Sequence, residues 1–498
     1  MHPAILRRLA YLLSFLLLNV ALAAGTTRLL ILHTNDLHDH LRAGENGIGG
    51  LPYVAGYIKQ VRAERSDVLV LDAGDVTEKG DLLAFRTRSV ITYEALRRIG
   101  YDAVTIGNHD HEDLTYADQR RYEAALGRPL LCLNLLEPDG KPAFETSRMV
   151  VVNGMKVGLI GLIVPQKKQC LDSAASGRAL AAEAARLREQ GADLIVAVCH
   201  ESSRKCTEWS RVAPTVDVFV SGHSHEVLAS PVVVPETGAY IVQAGYYARW
   251  VGRLELEIDL PARKILCAEG SLVAMRHDQI PVDAAMLAWV KEREQALAPE
   301  ATEFVLNNPA ELDGYAIARL AAEGLRRAAK ADVGFCHPAQ IIRNTLPAGA
   351  VDVNALFKTG GHRGAESVLA ELTGAEIEAY LNALQNILRE PPEWTGFRAS
   401  RTDGGNFRAD LEPARRYRVI MAKLEWESRY LRLASRMNEP EPRHPITVTP
   451  AGITFTDALL ACIKQTLAEG VSLQERALQL ATQREFPHRA KAGAPVRN

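Results

Sequence analysis

The sequence predicts an α/β protein built from two domains. From about residue 28 onward, short apolar runs alternate with helix-like segments, which is the pattern of βαβ units. The runs are apolar throughout, as expected for strands buried on both faces, and they occupy 29–32, 68–72, 103–107, 157–164, 194–198 and 218–222. At 498 residues, the chain is too long for one ordinary hydrophobic core.

The helix-like segments and the change of pattern after residue 259 define the expected domain boundaries. Helical periodicity is found at 51–65, 89–100 and 179–191, between the predicted strands. A further amphipathic helix at 281–300, between proline-containing ends, is suited to connect two domains. We therefore expect a first α/β domain at 25–278, a linker helix at 279–301, a smaller α/β domain at 302–484 and a loose tail at 485–498.

The N-terminus has the pattern of a secretory signal peptide. Arg7 and Arg8 precede an apolar run that ends near Leu22, and small residues follow at Ala23 and Ala24. A membrane anchor is the alternative, but the run is short for a bilayer span of roughly 20 residues. We expect residues 1–24 to be cleaved, the protein to be periplasmic or secreted, and no membrane span to remain.

Composition excludes some classes of protein and leaves the cysteines open. The hydrophobic fraction of 47% and charged fraction of 24% are typical of a folded globular chain. A net charge of -2 argues against nucleic-acid binding, which needs a basic surface. The seven cysteines leave at least one free thiol, and Cys170 and Cys206 are a possible disulfide pair because each follows a predicted strand in a polar loop.

Metal-binding side chains follow five of the predicted strands at their carboxyl ends. That edge of an α/β sheet is where ligands bind. Each motif alone is also compatible with a turn or a surface loop, so the prediction rests on all five together. Imidazole and carboxylate ligands suit two divalent ions such as Zn, Mn or Fe, with one aspartate bridging them. The candidates are Asp36, His38, Asp75, Asn108, His109, His200, His223 and His225.

These motifs are also the ones by which a family is recognised. Asp36-x-His38, Gly74-Asp75, Gly107-Asn108-His109-Asp110, Cys199-His200 and Gly222-His223-Ser224-His225 resemble the calcineurin-like metallophosphoesterase signature. Segments 47–64, 74–83, 97–110 and 231–256 further resemble exported 5′-nucleotidases, a family that includes UDP-sugar hydrolases and 2′,3′-cyclic nucleotide phosphodiesterases. The resemblance implies a four-layer α/β/β/α domain, a linker helix and a divergent α/β substrate domain.

The resemblance also implies a role for each matching residue. One metal would be held by Asp36, His38, Asp75 and His225, and the other by Asp75, Asn108, His200 and His223. His109 would contact the phosphate and stabilise or protonate the leaving oxygen. Glu112 stands where the family has an aspartate that orients this histidine, and Asp113 is the alternative.

In the C-terminal domain, the resemblance implies substrate contacts but is weaker. Segment 331–349 aligns with the family's substrate-binding turn without its glycines, and Arg343 keeps the arginine position. Arg363 is a second candidate for phosphate binding, and Phe397 is at or near the first base-stacking ring. Trp426 or Tyr430 could supply the second ring, although an aromatic residue there is more often part of a core.

The predicted activity is hydrolysis of nucleotide phosphate monoesters by attack of a metal-bridged hydroxide, as in 5′-nucleotidases. A 2′,3′-cyclic nucleotide or other phosphodiester is the alternative substrate within the same chemistry. Sulfur-oxidation intermediates, on which a related branch of the family acts, are a further one. From a different class, the chain could be a binding protein with a relict metal site. The expected partner is a small phosphate ester, and nucleic acid is not expected.

Overall fold

A computed structural model of the chain describes residues 25–111, 115–166, 169–362, 365–389, 393–402, 405–434 and 446–482. These residues form two compact units. The first contains 25–78 and Thr87–Glu292, and the second contains Lys79–Arg86 and the residues from Arg293 onward. The boundary falls within the helix Ala284–Leu297. The leader expected at 1–24 and the tail expected at 485–498 lie outside the described residues.

The first unit contains two sheets. Its strands, numbered along the chain, are β1 Thr26–Thr34, β2 Val68–Asp72, β3 Ala103–Val104, β4 Ser147–Val152, β5 Met155–Ile163, β6 Leu194–His200, β7 Val218–Ser221, β8 Val232–Val233, β9 Tyr240–Val242, β10 Trp250–Asp259 and β11 Lys264–Ala274. One sheet has the order β11-β10-β1-β2-β3 and the other the order β4-β5-β6-β7-β9-β8. Within them β1, β2 and β3 run parallel, and so do β5, β6 and β7. Parallel neighbours end at the same edge of a sheet, which brings their following loops together.

Helices cover the outer faces of the two sheets. They are Leu51–Glu64, Val90–Ile99, Tyr116–Leu126, Ser173–Glu189 and Ser203–Val212, with a 3-10 turn at Glu45–Gly47. Several begin at a side-chain cap, which satisfies an N–H group that the helix itself leaves unpaired. Asp172 caps Ser173–Glu189 by accepting from the Ala175 N–H at 2.7 Å, and Ser202 caps the next helix.

The core of this unit lies in two layers. Apolar side chains of both sheets pack against each other, among them Leu29, Ile31, Val157 and Val196. A second core fills the space between the β5–β6–β7 sheet and the helices Ser173–Glu189 and Ser203–Val212. Leu30 and Leu32, on the opposite face of β1, are also fully buried. The arrangement is the α/β/β/α architecture that the motifs implied, and it explains why these strands are apolar throughout.

The second unit is a smaller α/β domain. Its strands are β12 Phe304–Asn308, β13 Val333–Cys336, β14 Gly349–Asp352, β15 Glu366–Thr373, β16 Glu393–Thr395, β17 Ala399–Arg401, β18 Phe407–Ala409, β19 Arg416–Ala422 and β20 Val448–Thr454. Five of them form a sheet of order β16-β13-β19-β15-β20, and β12–β14 and β17–β18 form two small ribbons. Apolar clusters lie on both faces of the large sheet, one containing Ile317 and Phe455 and the other Ile377 and Trp394.

The helices of the second unit, together with the helix at the boundary, complete the fold. They are Leu82–Arg86, Ala284–Leu297, Gly314–Ala328, Pro338–Ile341, Val353–Phe357, Gly374–Ala383, Lys423–Glu425, Leu431–Ala434, Phe455–Ala468 and Leu473–Thr482. A 3-10 turn occupies Pro299–Thr302, and π-helical turns occupy Leu384–Leu388 and Trp426–Tyr430. In the part of the chain that the structure describes, none of the helices has the length and apolarity needed to cross a bilayer.

Two sequence expectations differ from the fold. The strand expected at 103–107 is shorter and ends at Val104, because Thr105 forms an isolated bridge with Leu131 and the chain then turns. The possible Cys170–Cys206 disulfide is wrong, since no disulfide joins these two residues in the structure. Cys206 is fully buried in the core behind β6, where its thiol contacts the carbonyl of Glu201 at 3.8 Å.

Candidate metal centre

The predicted ligands converge at the carboxyl ends of both sheets of the first unit. Loops after β1, β2 and β3 carry Asp36, His38, Asp75 and Asn108, whereas β6 ends at His200 and the loop after β7 carries His223 and His225. The structure brings these seven side chains together, and six of them form two groups. Each group has ligand atoms within 4.8 Å of one another, and the groups are Asp36–His38–His225 and Asp75–His200–His223.

In the first group, the donor atoms face each other across a short gap. Nε2 of His38 lies 3.3 Å from Nε2 of His225, and Oδ1 of Asp36 lies 3.2 Å from the same His225 atom and 3.7 Å from that of His38. The Nδ1 atom of His38 is within 3.1 Å of the Thr77 carbonyl oxygen. Because that contact occupies Nδ1, the Nε2 atom is the one left to bind a metal.

In the second group, His200, His223 and Asn108 meet at one oxygen. Oδ1 of Asn108 is 3.1 Å from Nε2 of His200 and 2.8 Å from Nδ1 of His223. Nδ1 of His200 contacts the carbonyl oxygen of Ala73 at 2.8 Å, so this ring too directs Nε2 toward the centre. The Asn108 side chain therefore lies against the second group.

Asp75 lies between the two groups. Its Oδ2 atom is 3.2 Å from Nε2 of His200 and 3.8 Å from Nε2 of His38, whereas its Oδ1 atom accepts a hydrogen bond from the backbone N–H of His109 at 2.8 Å. A carboxylate in this position can ligate two ions at once, which is the geometry of two-metal hydrolases.

The donor set fits divalent cations better than it fits protein hydrogen bonding alone. Oδ1 of Asp36 is fully buried and makes no hydrogen bond to any described residue. The facing Nε2 atoms of His38 and His225 would both be acceptors if the rings were neutral with protons on Nδ1. A buried carboxylate oxygen and facing imidazole nitrogens are satisfied together when a cation lies among them. The structure therefore contains two candidate metal sites, with the metal's identity left open by the mixed N and O ligands.

Electrostatics within the centre couple the carboxylates to the imidazoles. Burial acts to raise the pKa of Asp75, but the imidazoles of His200, His109 and His38 hold that pKa well below its usual range. Burial acts to lower the pKa of His200, yet Asp75 and Asp36 raise it to about 10. Burial also lowers the pKa of His223, to which the charge of His200 adds. Cations are therefore favoured at this point, and a divalent ion would displace the imidazole protons.

The backbone at these ligands adopts unusual conformations. A positive φ is rare for residues other than glycine and clusters at functional sites, where surrounding structure holds it. Here it is found at Asp36 (51°), His38 (47°), Asp75 (53°), His223 (67°) and His225 (57°). This strain could not be read from the residue types, because none of these residues is a glycine.

Asp110 joins the loops that follow β2 and β3. Its Oδ1 atom accepts from the Thr77 N–H at 2.9 Å, and its Oδ2 atom accepts from the Gly107 N–H at 2.8 Å. Gly107 is required here because a Cβ atom at this position would lie 2.1 Å from Oδ1 of Asp75. The Gly-Asn-His-Asp motif is therefore explained by packing as well as by ligation.

His109 lies beside the two groups but is not a member of either. Its ring centroid is 5.3 Å from that of His38, and its Nδ1 atom lies 2.6 Å from Oε2 of Glu78. Sequence reasoning missed Glu78, although its position just after a strand end was a usable signal. Glu112, the residue expected to orient His109, lies outside the described residues.

The substrate-binding candidates belong to the second unit. Arg343 is half-buried, and its backbone N–H donates to the Thr359 carbonyl at 2.7 Å. Phe397 is only 8% exposed and stacks on Trp394 with ring centroids 5.7 Å apart. It also lines a cavity of about 410 Å³ together with Arg326 and Arg398. The roles assigned to Arg343 and Phe397 stay predictions, and Arg363 lies outside the described residues.

The alternative second rings are part of the hydrophobic core. Trp426 and Tyr430 are both buried and stack on each other, with ring centroids 4.4 Å apart. They pack in the apolar cluster that also contains Tyr380 and Leu433. The interpretation of these two residues as core residues is therefore the one that the structure favours.

The sequence of the chain is similar to a known phosphoesterase family and to several known proteins. The calcineurin-like phosphoesterase family matches residues 29–227. Endonuclease YhcR of Bacillus subtilis is 24% identical over 402 residues, which cover 71% of this chain but 32% of the endonuclease. The chain thus spans about a third of that relative's length. A 5′-nucleotidase of Vibrio cholerae serotype O1 is 24% identical over 429 residues, covering 73% of this chain and 76% of that protein.

Solved structures show the same fold. A 5′-nucleotidase precursor from Thermus thermophilus superimposes with a TM-score of 0.72 at 22% identity, covering 88% of this chain and 96% of that one. The shared fold extends through both units, and the family match covers the strands whose loops carry the ligand groups. Residues 29–227 of the chain therefore match the calcineurin-like phosphoesterase family, and these residues include all seven candidate ligands.

Proposed function

We propose that the first unit hydrolyses phosphate esters with two divalent metal ions held by the two ligand groups. The observation that carries this proposal is the position of Asp75, whose Oδ2 atom lies within 3.8 Å of His38 and 3.2 Å of His200, one histidine from each group. A structural ion site would need only one closed ligand set. Two adjoining sets with a shared carboxylate are suited to catalysis on phosphate.

The residues of the chain divide the work. When bound, two divalent ions would acidify a water molecule and neutralise charge on the phosphate oxygens. His38 and His200 would hold the ions through Nε2, because backbone carbonyls fix their Nδ1 atoms. Asn108 and His223 would complete the second set. The Nδ1 atom of His109 lies 2.6 Å from Oε2 of Glu78, so in the protonated ring Nε2 is the atom that can donate a proton to the leaving oxygen.

A nucleotide monoester is the substrate class that we favour. The relative from Vibrio cholerae is named a 5′-nucleotidase, and its match covers 73% of this chain, so it extends beyond the phosphoesterase domain. Arg343 of the second unit would bind phosphate as a bidentate fork, and the ring of Phe397 would contact the base. Export through the predicted leader at 1–24 is part of the same proposal.

A phosphodiester substrate is the second candidate. It is favoured by the relative in Bacillus subtilis, which is named an endonuclease. The same pair of ligand groups serves both reactions, because the attack is on phosphorus in either case. What differs is the second ester group that the site must accommodate.

The test is an assay of the mature protein loaded with Mn²⁺. Phosphate release from 5′-AMP is measured beside cleavage of 2′,3′-cyclic AMP and of a chromogenic diester, each with and without chelator. Asp75→Asn is the test variant, and Asp278→Asn, at a surface carboxylate paired with Arg276, is the matched control. Metal content is measured for every sample.

Chelator-sensitive release from 5′-AMP, lost in Asp75→Asn and kept in Asp278→Asn, supports a nucleotide monoesterase. Diester cleavage without turnover of 5′-AMP supports the second candidate. A preparation that binds no metal and hydrolyses none of the three esters overturns the proposal and favours a binding protein with a relict site.

A further inference from the structure

Glu78 lies in the loop after β2, three residues beyond Asp75, and its carboxylate lies beside the ring of His109. Oε2 of Glu78 is 2.6 Å from Nδ1 of His109, with the two side chains 12% and 17% exposed. A carboxylate at this distance from one ring nitrogen is the arrangement that orients a catalytic imidazole. Glu78 is not one of the seven ligand candidates, so its contact with His109 does not compete with metal ligation.

The side chain of Asp39 fixes the backbone of Glu78 by a hydrogen bond. This buried carboxylate accepts from the Glu78 N–H at 2.6 Å and from the Ser89 hydroxyl at 2.7 Å, and it also accepts from the Thr92 hydroxyl. Asp39 thereby joins the loop after β1 to the loop after β2 and to the start of the helix Val90–Ile99. The position of Glu78 is thus set by buried hydrogen bonds.

The loop that carries His109 is tied to the same segment. The Thr77 hydroxyl donates to the His109 carbonyl at 2.9 Å, and the His109 N–H donates to Asp75 at 2.8 Å. These bonds fix the backbone of both partners on either side of the Glu78–His109 contact. The short distance therefore follows from two anchored loops.

The conformation of Glu78 is itself strained. Its φ is 74°, and that of the next residue, Lys79, is 68°. Glycine is the usual residue where φ is positive, since a Cβ atom is disfavoured there. The buried hydrogen bonds around Glu78 therefore hold it in a conformation that its own Cβ atom disfavours, with its carboxylate beside His109.

We propose that Glu78 is the positioning residue for His109. The proposal rests on the proposed function, in which His109 assists the leaving oxygen. With its carboxylate at Nδ1, Glu78 accepts a hydrogen bond from the Nδ1–H group of the ring and fixes the ring plane, so that Nε2 faces the substrate and carries the proton that passes to the leaving oxygen. The resemblance assigns this role to Glu112 or Asp113, and the two assignments make different predictions.

The kinetic test uses a double-mutant cycle on the Mn²⁺-loaded mature protein. Glu78→Gln, His109→Ala and the double variant are compared on 5′-AMP and on 4-nitrophenyl phosphate. Glu112→Gln tests the competing assignment, and Glu236→Gln, at an exposed carboxylate paired with Arg211, is the matched control. General acid catalysis contributes about 10²–10⁴-fold. Glu78→Gln should lower kcat for 5′-AMP by about tenfold or more and leave KM and metal content unchanged.

The same substitution should affect 4-nitrophenyl phosphate much less, because nitrophenolate leaves without a proton. In the His109→Ala background, Glu78→Gln should cause no further loss, since a residue that acts through another is silent without it. If Glu78 had a purely structural role, its replacement would lower kcat for both substrates and the metal content together. Full activity in Glu78→Gln, with the loss seen in Glu112→Gln, overturns the proposal.

A second measurement does not depend on hydrolysis. ¹⁵N-histidine labelling of the Zn²⁺-loaded protein, with the His109 signal assigned from His109→Ala, reports the tautomer of that ring by NMR. We expect Nδ1 of His109 to carry a proton in the wild-type protein, and a shifted or exchange-broadened Nδ1 signal in Glu78→Gln. An unchanged His109 signal in Glu78→Gln overturns the positioning role even if no ester is hydrolysed, so its failure is distinguishable from failure of the proposed function.

Discussion

Each unit of the molecule places a buried polar cluster at the ends of central strands, and the two clusters differ in how their groups are satisfied. In the first unit, Oδ1 of Asp36 makes no hydrogen bond to a described residue, and two imidazole Nε2 atoms face each other at 3.3 Å. In the second unit, Glu425 follows β19 and is fully buried. Its carboxyl accepts from the His337 N–H at 2.9 Å and lies 3.1 Å from the Tyr380 hydroxyl.

The charge state differs in the same way. Imidazoles around Asp75 lower its pKa despite burial, whereas burial raises the pKa of Glu425 to about 7. Burial likewise lowers the pKa of His337 to about 4. The cluster around Asp75 therefore keeps a negative charge that a cation would balance. In the cluster around Glu425, burial favours the neutral form of each group. A polar residue at a strand end is thus insufficient evidence for a metal site. A cation site also needs several donor atoms that face one another.

The largest effect is expected from Asp36→Asn in the first cluster. Loss of this carboxylate removes the charge of one ligand group, so at least one of the two ions should be lost. Hydrolysis of the active ester should fall by about 100-fold or more, since even residues behind metal ligands change affinity about 10–100-fold. Metal content by mass spectrometry and kcat/KM are the measurements.

Glu425→Gln is the matched change in the second cluster. It should leave metal content unaltered, because Glu425 does not belong to either ligand group. Equal loss of metal from both variants would contradict the distinction drawn between the clusters.

A smaller effect is expected in the pH dependence of stability. Glu425 has a folded pKa of about 7 against an ordinary value of 4.5, so the folded state holds the proton more tightly. Its contribution to stability is present at low pH and is lost as pH rises from about 4.5 to 7, by at most about 1.4 kcal/mol per pH unit. His337 acts oppositely, because its lowered pKa removes stability as pH falls from about 6.5 toward 4.

In Glu425→Gln, the pH dependence of the free energy of unfolding should therefore show the contribution of His337 without the opposing one from Glu425. The variant should gain stability relative to the wild-type protein as pH rises from 5 to 7, because the opposing loss from Glu425 is gone. Guanidinium unfolding at several pH values, followed by the fluorescence of Trp394 and Trp426 in the second unit, measures the difference. Parallel pH curves for the two proteins would show that Glu425 does not titrate in this window.

The smallest effect is expected at helix starts that both units build in the same way. Thr115 and Asp118 form a capping box in the first unit, and Thr373 and Glu376 form one in the second. Replacement of either threonine by alanine should cost about 1 kcal/mol of unfolding free energy. Serine at the same positions should restore most of it, and metal content should not change in any of the four variants. A change in bound metal would mean that these caps support the metal centre.

The sequence was sufficient for the class of fold and for the set of convergent ligands. Apolar runs predicted β1, β2, β5, β6 and β7, and residue chemistry just past each strand predicted which side chains would meet. These features are local, since burial of a strand and the identity of the residue after it are both written in a short stretch of chain. The predicted strand at 103–107 was too long because a partner distant in sequence, Leu131, pairs with Thr105.

Other features depended on packing between distant segments. The sequence alone allowed a Cys170–Cys206 bond, whereas the structure places Cys206 in the core behind β6 without that bond. It also did not indicate that Glu78 lies beside His109. The order of residues thus determined which strands form and which ligands they carry, because strand burial and strand-end chemistry are local properties. Only the tertiary structure decided that Asp75 lies between the two groups and that Glu78 meets His109, because those distances arise where loops from separate strands are tied together by buried hydrogen bonds.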